Sequence, residues 1–418
     1  MTRRWQALGW LAVCALLGGC VSQSINSTSV PAVMTPSRQV PEAQLLDVGV
    51  VVFNPGIEDY DESDDERVYP EVRRAESRYM PGLLVEALQQ SGAWGAVRIV
   101  PDDQQLSDLK ISGSILHSDG EQLSLAITAI DSRGIVWLDK TYTGNASRYA
   151  YDTRTRASFD PFQAVYHTIA NDLLQQLERL GGEDRKTVRL VTELLFARSF
   201  SPDAFDGYLQ QNRKGAWLVM RLPAENDPML ARVRQIRERD RLFIDTLQEY
   251  YSSFDAQMNG PYQEWRKLSY EEIIALDEIR AESRQRMITG ALAVIAGIAS
   301  VNSARNEDDD DERALKRDAG AVAILGGGYL LKTGLEKRAE AQIHVQALEE
   351  IGLSLEAEIT PQVIELEDRT VTLSGNVDEQ YAQWRELLAD IYAAEVGAVE
   401  LPPAGGSPTA AIDPIDQH

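Results

Sequence analysis

Two apolar, glycine-spaced segments constrain this chain more than any other feature. Met287 to Ala304 and Ala319 to Leu335 are apolar or small almost throughout, and Arg305 to Asp318 separates them with six consecutive acids at its centre, Glu307 to Glu312. In the first segment Gly290, Ala293, Gly297, Ser300 and Ala304 alternate steps of three and four residues; in the second, Gly320, Gly327 and Gly334 recur every seventh residue, with Ala323 between. Such a stripe lets helix backbones approach closely. Glycine costs about 1 kcal/mol per helical position, so a solvated helix would not carry this many. The pattern predicts a helical hairpin over 286–335 that something dry must cover. Three coverings remain open: a bilayer, a second copy of the chain, or the chain's own fold. As helices the segments reach roughly 25–27 Å, against about 30 Å for a hydrocarbon core. Basic residues are balanced between the loop (Arg305, Arg313, Lys316, Arg317) and the bases (Arg284, Arg286, Lys332, Lys337), so charge asymmetry sets no orientation. The acidic tip lacks the spacing and glycine of an EF-hand loop and reads as a solvated cap.

The beginning of the chain determines its surroundings. Arg3 and Arg4 precede an apolar run from Trp5 to Leu17, followed by Leu17-Gly18-Gly19-Cys20. Basic start, short apolar stretch and small residues form a secretory signal over 1–19. The last four residues resemble the lipobox of bacterial lipoproteins, which implies cleavage before Cys20 and acylation of its sulfur. Val21 follows; by resemblance to enteric-type lipoproteins, the lack of an Asp there implies the outer membrane, with the protein facing the periplasm. Three acyl chains at about 0.8 kcal/mol per buried methylene make an anchor effectively permanent. Residues 20–44 are rich in Ser, Thr, Pro and Val without periodicity and read as the lipidated Cys plus a flexible tether of about 25–30 Å.

With Cys14 inside the leader, the mature chain keeps one thiol, which excludes an internal disulfide and any zinc site needing two cysteines. The net charge is −24 over 418 residues, and the mature chain has 39 basic against 65 acidic side chains. That balance disfavours nucleic acid as a partner.

Residues 45–180 read as an α/β domain of three to five strands. Leu45 to Phe53 is a buried strand, Arg73 to Gly92 a helix stopped by glycine, Ala96 to Pro101 a short strand. Leu109 to Leu116 and Gln122 to Ile130 form a hairpin about Asp119-Gly120, and Ile135 to Tyr142 adds a strand. Asp160-Pro161 opens a helix carrying Phe162, Val165, Ile169, Leu173 and Leu177. The pieces VGVVVFNPG, LVEALQQSG, VRIVP and ISGSIL with LAITAIDSRG resemble the TolB amino-terminal domain, also found in curli-secretion lipoproteins and in activator lipoproteins of penicillin-binding proteins. The resemblance implies an adaptor or assembly role and no catalytic signature. Arg73, Arg74, Glu76 and Arg78 read as a solvated helix face, with a partner-binding edge as the alternative.

Residues 181–285 read as helical. Ser201-Pro202-Asp203 opens a short helix and Asp227-Pro228 a long one, broken at Asn259-Gly260-Pro261; Ser269 with Glu272 reads as the capping box of a new helix. Residues 336–402 read as a small αββα module, in which VIELEDRTVTLSGNVDEQYAQWRELLADIY resembles BON modules, implying envelope attachment. Residues 403–418 form a Pro/Gly/Ala tail.

The fold class is therefore α+β: an amino-terminal α/β domain, a helical middle with a glycine-rich apolar hairpin, and a small carboxy-terminal module. Neither a Ser/His/Asp constellation, nor HExxH, nor a phosphate loop occurs, and spacing selects no carboxylate pair for glycan hydrolysis. The expectation is a non-enzymatic outer-membrane lipoprotein without cofactor or metal, acting in envelope structure or assembly through protein contacts. Its expected partners are the membrane, other envelope proteins and further copies of itself. The alternative is an adaptor or activator of a periplasmic enzyme or secretion machine. The residues expected to matter are Cys20 for lipidation and Gly290, Ala293, Gly297, Gly320, Gly327 and Gly334 for helix packing.

Overall fold

A computed structural model describes residues 21–26, 30–57, 69–101, 105–152, 160–224, 226–301, 345–347, 349–350, 353, 362–365 and 370–397; over 276–301 it describes the helical course of the backbone. The fold is mixed α+β, as the sequence predicts.

Five strands between residues 48 and 145 form a mixed sheet. β2 (Val48–Val51) lies between β3 (Val97–Val100) and β4 (Leu109–Ser118), parallel to both. β4, β5 (Gln122–Asp131) and β6 (Val136–Asn145) follow as an antiparallel meander. The β4–β5 turn is closed by Asp119, whose carboxylate accepts the backbone N–H groups of Glu121 and Gln122, each at 2.7 Å. Alternation along β4 buries Leu109, Ile111, Gly113 and Ile115. Against this face pack α1 (Pro70–Ser91) and α2 (Gln163–Arg179). Gly92 stops α1 in the left-handed conformation, φ 64°, which glycine adopts without steric cost.

The tether expected at 20–44 is corrected over its described part. β1 (Val21–Asn26) joins the sheet edge parallel to β6, giving the order β1-β6-β5-β4-β2-β3. Beyond it, residues 31–37 lie along α2. Asn171 accepts the Met34 N–H at 2.7 Å and donates to the Ala32 carbonyl at 3.0 Å, while the His167 ring bonds the Pro31 carbonyl at 2.7 Å. Glu178 accepts the Ser37 N–H at 2.7 Å. An extended segment without periodicity is ordered here by side chains 130 or more positions away, a signal that local composition does not carry.

The second half is organised by helices. α3 (Gly182–Phe200) and α4 (Pro202–Phe205) lead to a hairpin of β7 (Leu209–Gln211) and β8 (Trp217–Val219), which was not expected. α5 (Pro228–Val301) is then one continuous helix of 74 residues, about 110 Å long at 1.5 Å per residue. Asp227 caps it, accepting the Met229 and Leu230 N–H groups at 2.9 and 3.2 Å. The break expected at Asn259-Gly260-Pro261 does not occur. Phe254, Met258, Tyr262 and Trp265, on both sides of Pro261, are all buried on one face. A proline costs a helix interior about 3 kcal/mol, less than the burial of those four large side chains at about 1.5–3 kcal/mol each. Ser269 likewise lies mid-helix, and its hydroxyl accepts the Gly120 N–H from the β4–β5 turn at 3.1 Å rather than capping anything.

At the carboxy-terminal end β9 (Gln362–Glu365) and β10 (Thr370–Leu373) pair antiparallel, followed by α6 (Val377–Gly397). α6 packs on α5 and α3: Trp384 stacks on Phe243 with ring centroids 4.8 Å apart, and Tyr392 meets Phe200 edge-on at 5.8 Å. Val345 belongs to the same core.

Candidate functional site: the β1 sheet edge and a buried charged seam

Of the residues that the sequence selects, Gly290, Ala293 and Gly297 fall within the described structure and the others outside it. Cys20 and the leader 1–19 lie outside the described residues, as do Gly320, Gly327, Gly334, the acidic tip and the tail 403–418. The residue after Cys20 is placed: Val21 opens β1 opposite Lys140, so the sheet begins immediately where the lipid is expected. Gly290, Ala293 and Gly297 lie on the helical backbone of α5, and steps of three and four place them on one face.

Between the sheet domain and α5 runs a polar seam whose members are buried. Glu76, on α1, is 0% exposed and accepts hydrogen bonds from Tyr262 at 2.5 Å and from Ser118 at 2.6 Å. Its other carboxylate oxygen faces the Arg73 guanidinium at 3.9 Å. The surface role expected for Arg73 and Glu76 is therefore corrected: both point inward, because α5 covers the face they occupy. One turn along α5, Arg266 is also 0% exposed. It donates to both oxygens of Asp160 at 2.7 and 3.0 Å, and its guanidinium lies 4.1 Å from the Tyr262 ring centroid and 4.9 Å from that of Phe162. Asp160 also accepts from Gln263 at 2.8 Å and from the Phe162 N–H at 2.8 Å, which fixes the entry to α2. Gly120 presses onto α5 so closely that a β-carbon there would strike the Arg266 carbonyl and the Tyr270 backbone.

The electrostatics of the seam follow from this enclosure. Burial pushes the phenols of Tyr79, Tyr151, Tyr166 and Tyr262 above their ordinary value and keeps them neutral; of these, Tyr262 donates to Glu76 and Tyr151 to the Gly120 carbonyl. Burial disfavours the Arg266 cation, but Asp160 and the surrounding tyrosines outweigh it and raise its pKa. The charged pair ties α5 to the segment that enters α2.

A second feature opens to solvent. A groove of about 380 Å³ lies between α1, β3 and α5, lined among others by Glu86, Gln89, Gln248, Ser252 and Asp255. Burial, with Glu86 adding to it, pushes the Asp255 carboxyl up to about 7, and its Oδ1 has no hydrogen-bond partner. Gly82 permits this, since a β-carbon there would collide with the Asp255 carboxylate. A raised carboxyl beside a second acid can store and release a proton near neutrality. Sequence spacing could not have chosen this pair, because 169 positions separate the two acids. Among the described residues no group of three or more His, Cys, Asp or Glu could hold a metal ion, and no described helix is long and apolar enough to cross a membrane.

No family model matches the chain, and neither the curated proteins nor the solved structures give a match.

Proposed function

We propose that this chain is a non-enzymatic, lipid-anchored protein of the outer membrane, facing the periplasm, that acts in envelope structure or assembly by presenting α5 to other proteins or to copies of itself. The observation that carries this reading is the construction of α5. Its first two thirds are bound into the fold by a buried ionic seam and an apolar stripe. Its remainder continues with Gly290, Ala293 and Gly297 on one face. A rigidly rooted helix with small residues along one side suits close packing against another helix. In this reading Cys20 carries the lipid, and β1 transmits the anchor directly to the sheet.

Gly297→Leu tests the helix-packing part, because its isobutyl group would hold two backbones apart. In detergent-solubilised envelopes the parent is expected to migrate as an oligomer or in a larger complex, and the variant as a monomer with an unchanged unfolding transition of the sheet domain. Equal mass for the two proteins would overturn the packing role. A parent that is monomeric from the start would favour an adaptor acting on a periplasmic enzyme or secretion machine.

A further inference from the structure

The β7–β8 hairpin has apolar side chains on both faces, and only one face is covered. Trp217 and Val219 turn inward onto the helical core. The alternate positions Leu218, Met220 and Leu222 are 49%, 56% and 72% exposed. The hairpin is not a loose loop. Asn212 accepts the Lys214 and Ala216 N–H groups at 2.8 and 3.0 Å, and the Arg221 guanidinium sits 3.9 Å from the Tyr208 ring centroid. Its turn is docked on that of β5–β6, where the Trp217 N–H donates to the Arg133 carbonyl at 2.8 Å. That second turn carries Ile135 and Val136, 42% and 55% exposed. Half of the ten large hydrophobic side chains most exposed among the described residues thus fall in these two adjoining pieces.

The charge of this region opposes that of the rest. Leu209 to Pro223 contains Arg213, Lys214 and Arg221 and no acid, in a chain of net charge −24. Exposed apolar side chains flanked by cations are the composition of a surface that enters the headgroup layer of an anionic bilayer. Its position agrees. The parallel β1–β6 register sets Val21 opposite Lys140, four residues from Val136, which is about 13 Å at 3.3 Å per residue. The residue preceding Val21 is Cys20.

We infer that Leu218, Met220 and Leu222, with Ile135, Val136, Arg213 and Lys214, form a second membrane-contact face that seats the protein on an anionic phospholipid surface beside its lipid anchor. The placement beside the anchor rests on the lipidation of Cys20; the lipid affinity of the face does not. Two contacts, one covalent and one through the fold, would fix the orientation of the sheet domain and of α5 relative to the bilayer, with the acidic remainder repelled from it.

The test uses the full chain from residue 20 with Cys20→Ser, which carries no lipid, and vesicles of phosphatidylethanolamine with one quarter phosphatidylglycerol. The parent is expected to co-sediment with the vesicles and to be released by salt. Arg213→Glu with Lys214→Glu should weaken partitioning roughly twentyfold or more, at about 1 kcal/mol per cation removed. Leu218→Ser, Met220→Ser and Leu222→Ser together should also weaken it, and both variants should keep the parent's unfolding midpoint because these side chains are exposed. Variants that bind as the parent does would overturn the inference. So would a parent that dimerises without vesicles through contacts the variants abolish, which would make the face an interface between copies. If acylation fails in cells while the variants still lose vesicle binding, the anchor reading falls and the lipid affinity of the face stands.

Discussion

Replacing Arg266 by Met should detach α5 from the sheet domain at a cost set by the charge left behind. The guanidinium is fully buried, and the Asp160 carboxylate it neutralises is 10% exposed. Removing one member of such a pair costs about 3–5 kcal/mol, because the surviving charge remains buried without its partner. The contacts with Tyr262 and Phe162 add to the loss, although the Met side chain keeps part of the packing. Against a total stability of about 5–15 kcal/mol, this is a large fraction. Urea unfolding of the Cys20→Ser chain, followed by tryptophan emission, should show a midpoint lowered by about 1 M or more. The decisive variant is the double one, Arg266→Met with Asp160→Asn. Asn keeps an oxygen for the Phe162 N–H but removes the orphaned charge, so the double variant should recover about 2 kcal/mol relative to Arg266→Met alone. A single-variant cost below about 1 kcal/mol, or a double variant as unstable as the sum of the two singles, would refute the assignment of the seam as the lock on α5.

Asp255→Asn should change how stability depends on pH. The native carboxyl titrates near 7, above its ordinary value of 3.8, so the folded state holds a proton that the unfolded chain has lost between those values. This carboxyl therefore removes stability from the parent as pH rises from about 4 to 7, a loss that the variant lacks, whereas the contribution of Asp240, pushed up to about 6, is common to both. Thermal unfolding should find the two alike near pH 4 and the variant more stable by on the order of 2 kcal/mol at pH 8, screening having reduced the full shift; parallel pH profiles would contradict this. Asn171→Ala removes the bonds to Met34 and Ala32. It should cost about 1–2 kcal/mol and expose residues 30–44 to limited proteolysis, and an unchanged digestion pattern would count against a clamped segment.

Local patterns carried the sheet and the ends of several helices. Period-two alternation marks β4 and β5, Asp119-Gly120 marks their turn, Ser132-Arg133-Gly134 marks the start of β6, and Gly92 and Asp227 mark helix ends by the chemistry that makes them good caps. What escaped was non-local. Pro261 reads as a breaker until the buried aromatic stripe on both sides of it is known. Ser269 reads as a cap until Gly120 arrives from another element. Arg73 and Glu76 read as solvated because charge is usually exposed; the partners of Glu76, Tyr262 and Ser118, and that of Arg73, the Ile115 carbonyl, lie 42 or more positions away. The β7–β8 hairpin was missed because three-residue strands leave too little alternation to read. The acid pair of the groove depends on α1 crossing α5, which no spacing rule encodes.

In the proposed function, fatty chains on the Cys20 sulfur hold the β1 edge at a bilayer. Growth of cells with radiolabelled palmitate, followed by separation of inner and outer membranes, tests it directly. The natural chain should take up label and sediment with the outer membrane, and Cys20→Ser should take up none and fail to be processed at that site. Absence of label from the natural chain, or equal labelling of both, would rule out acylation at Cys20.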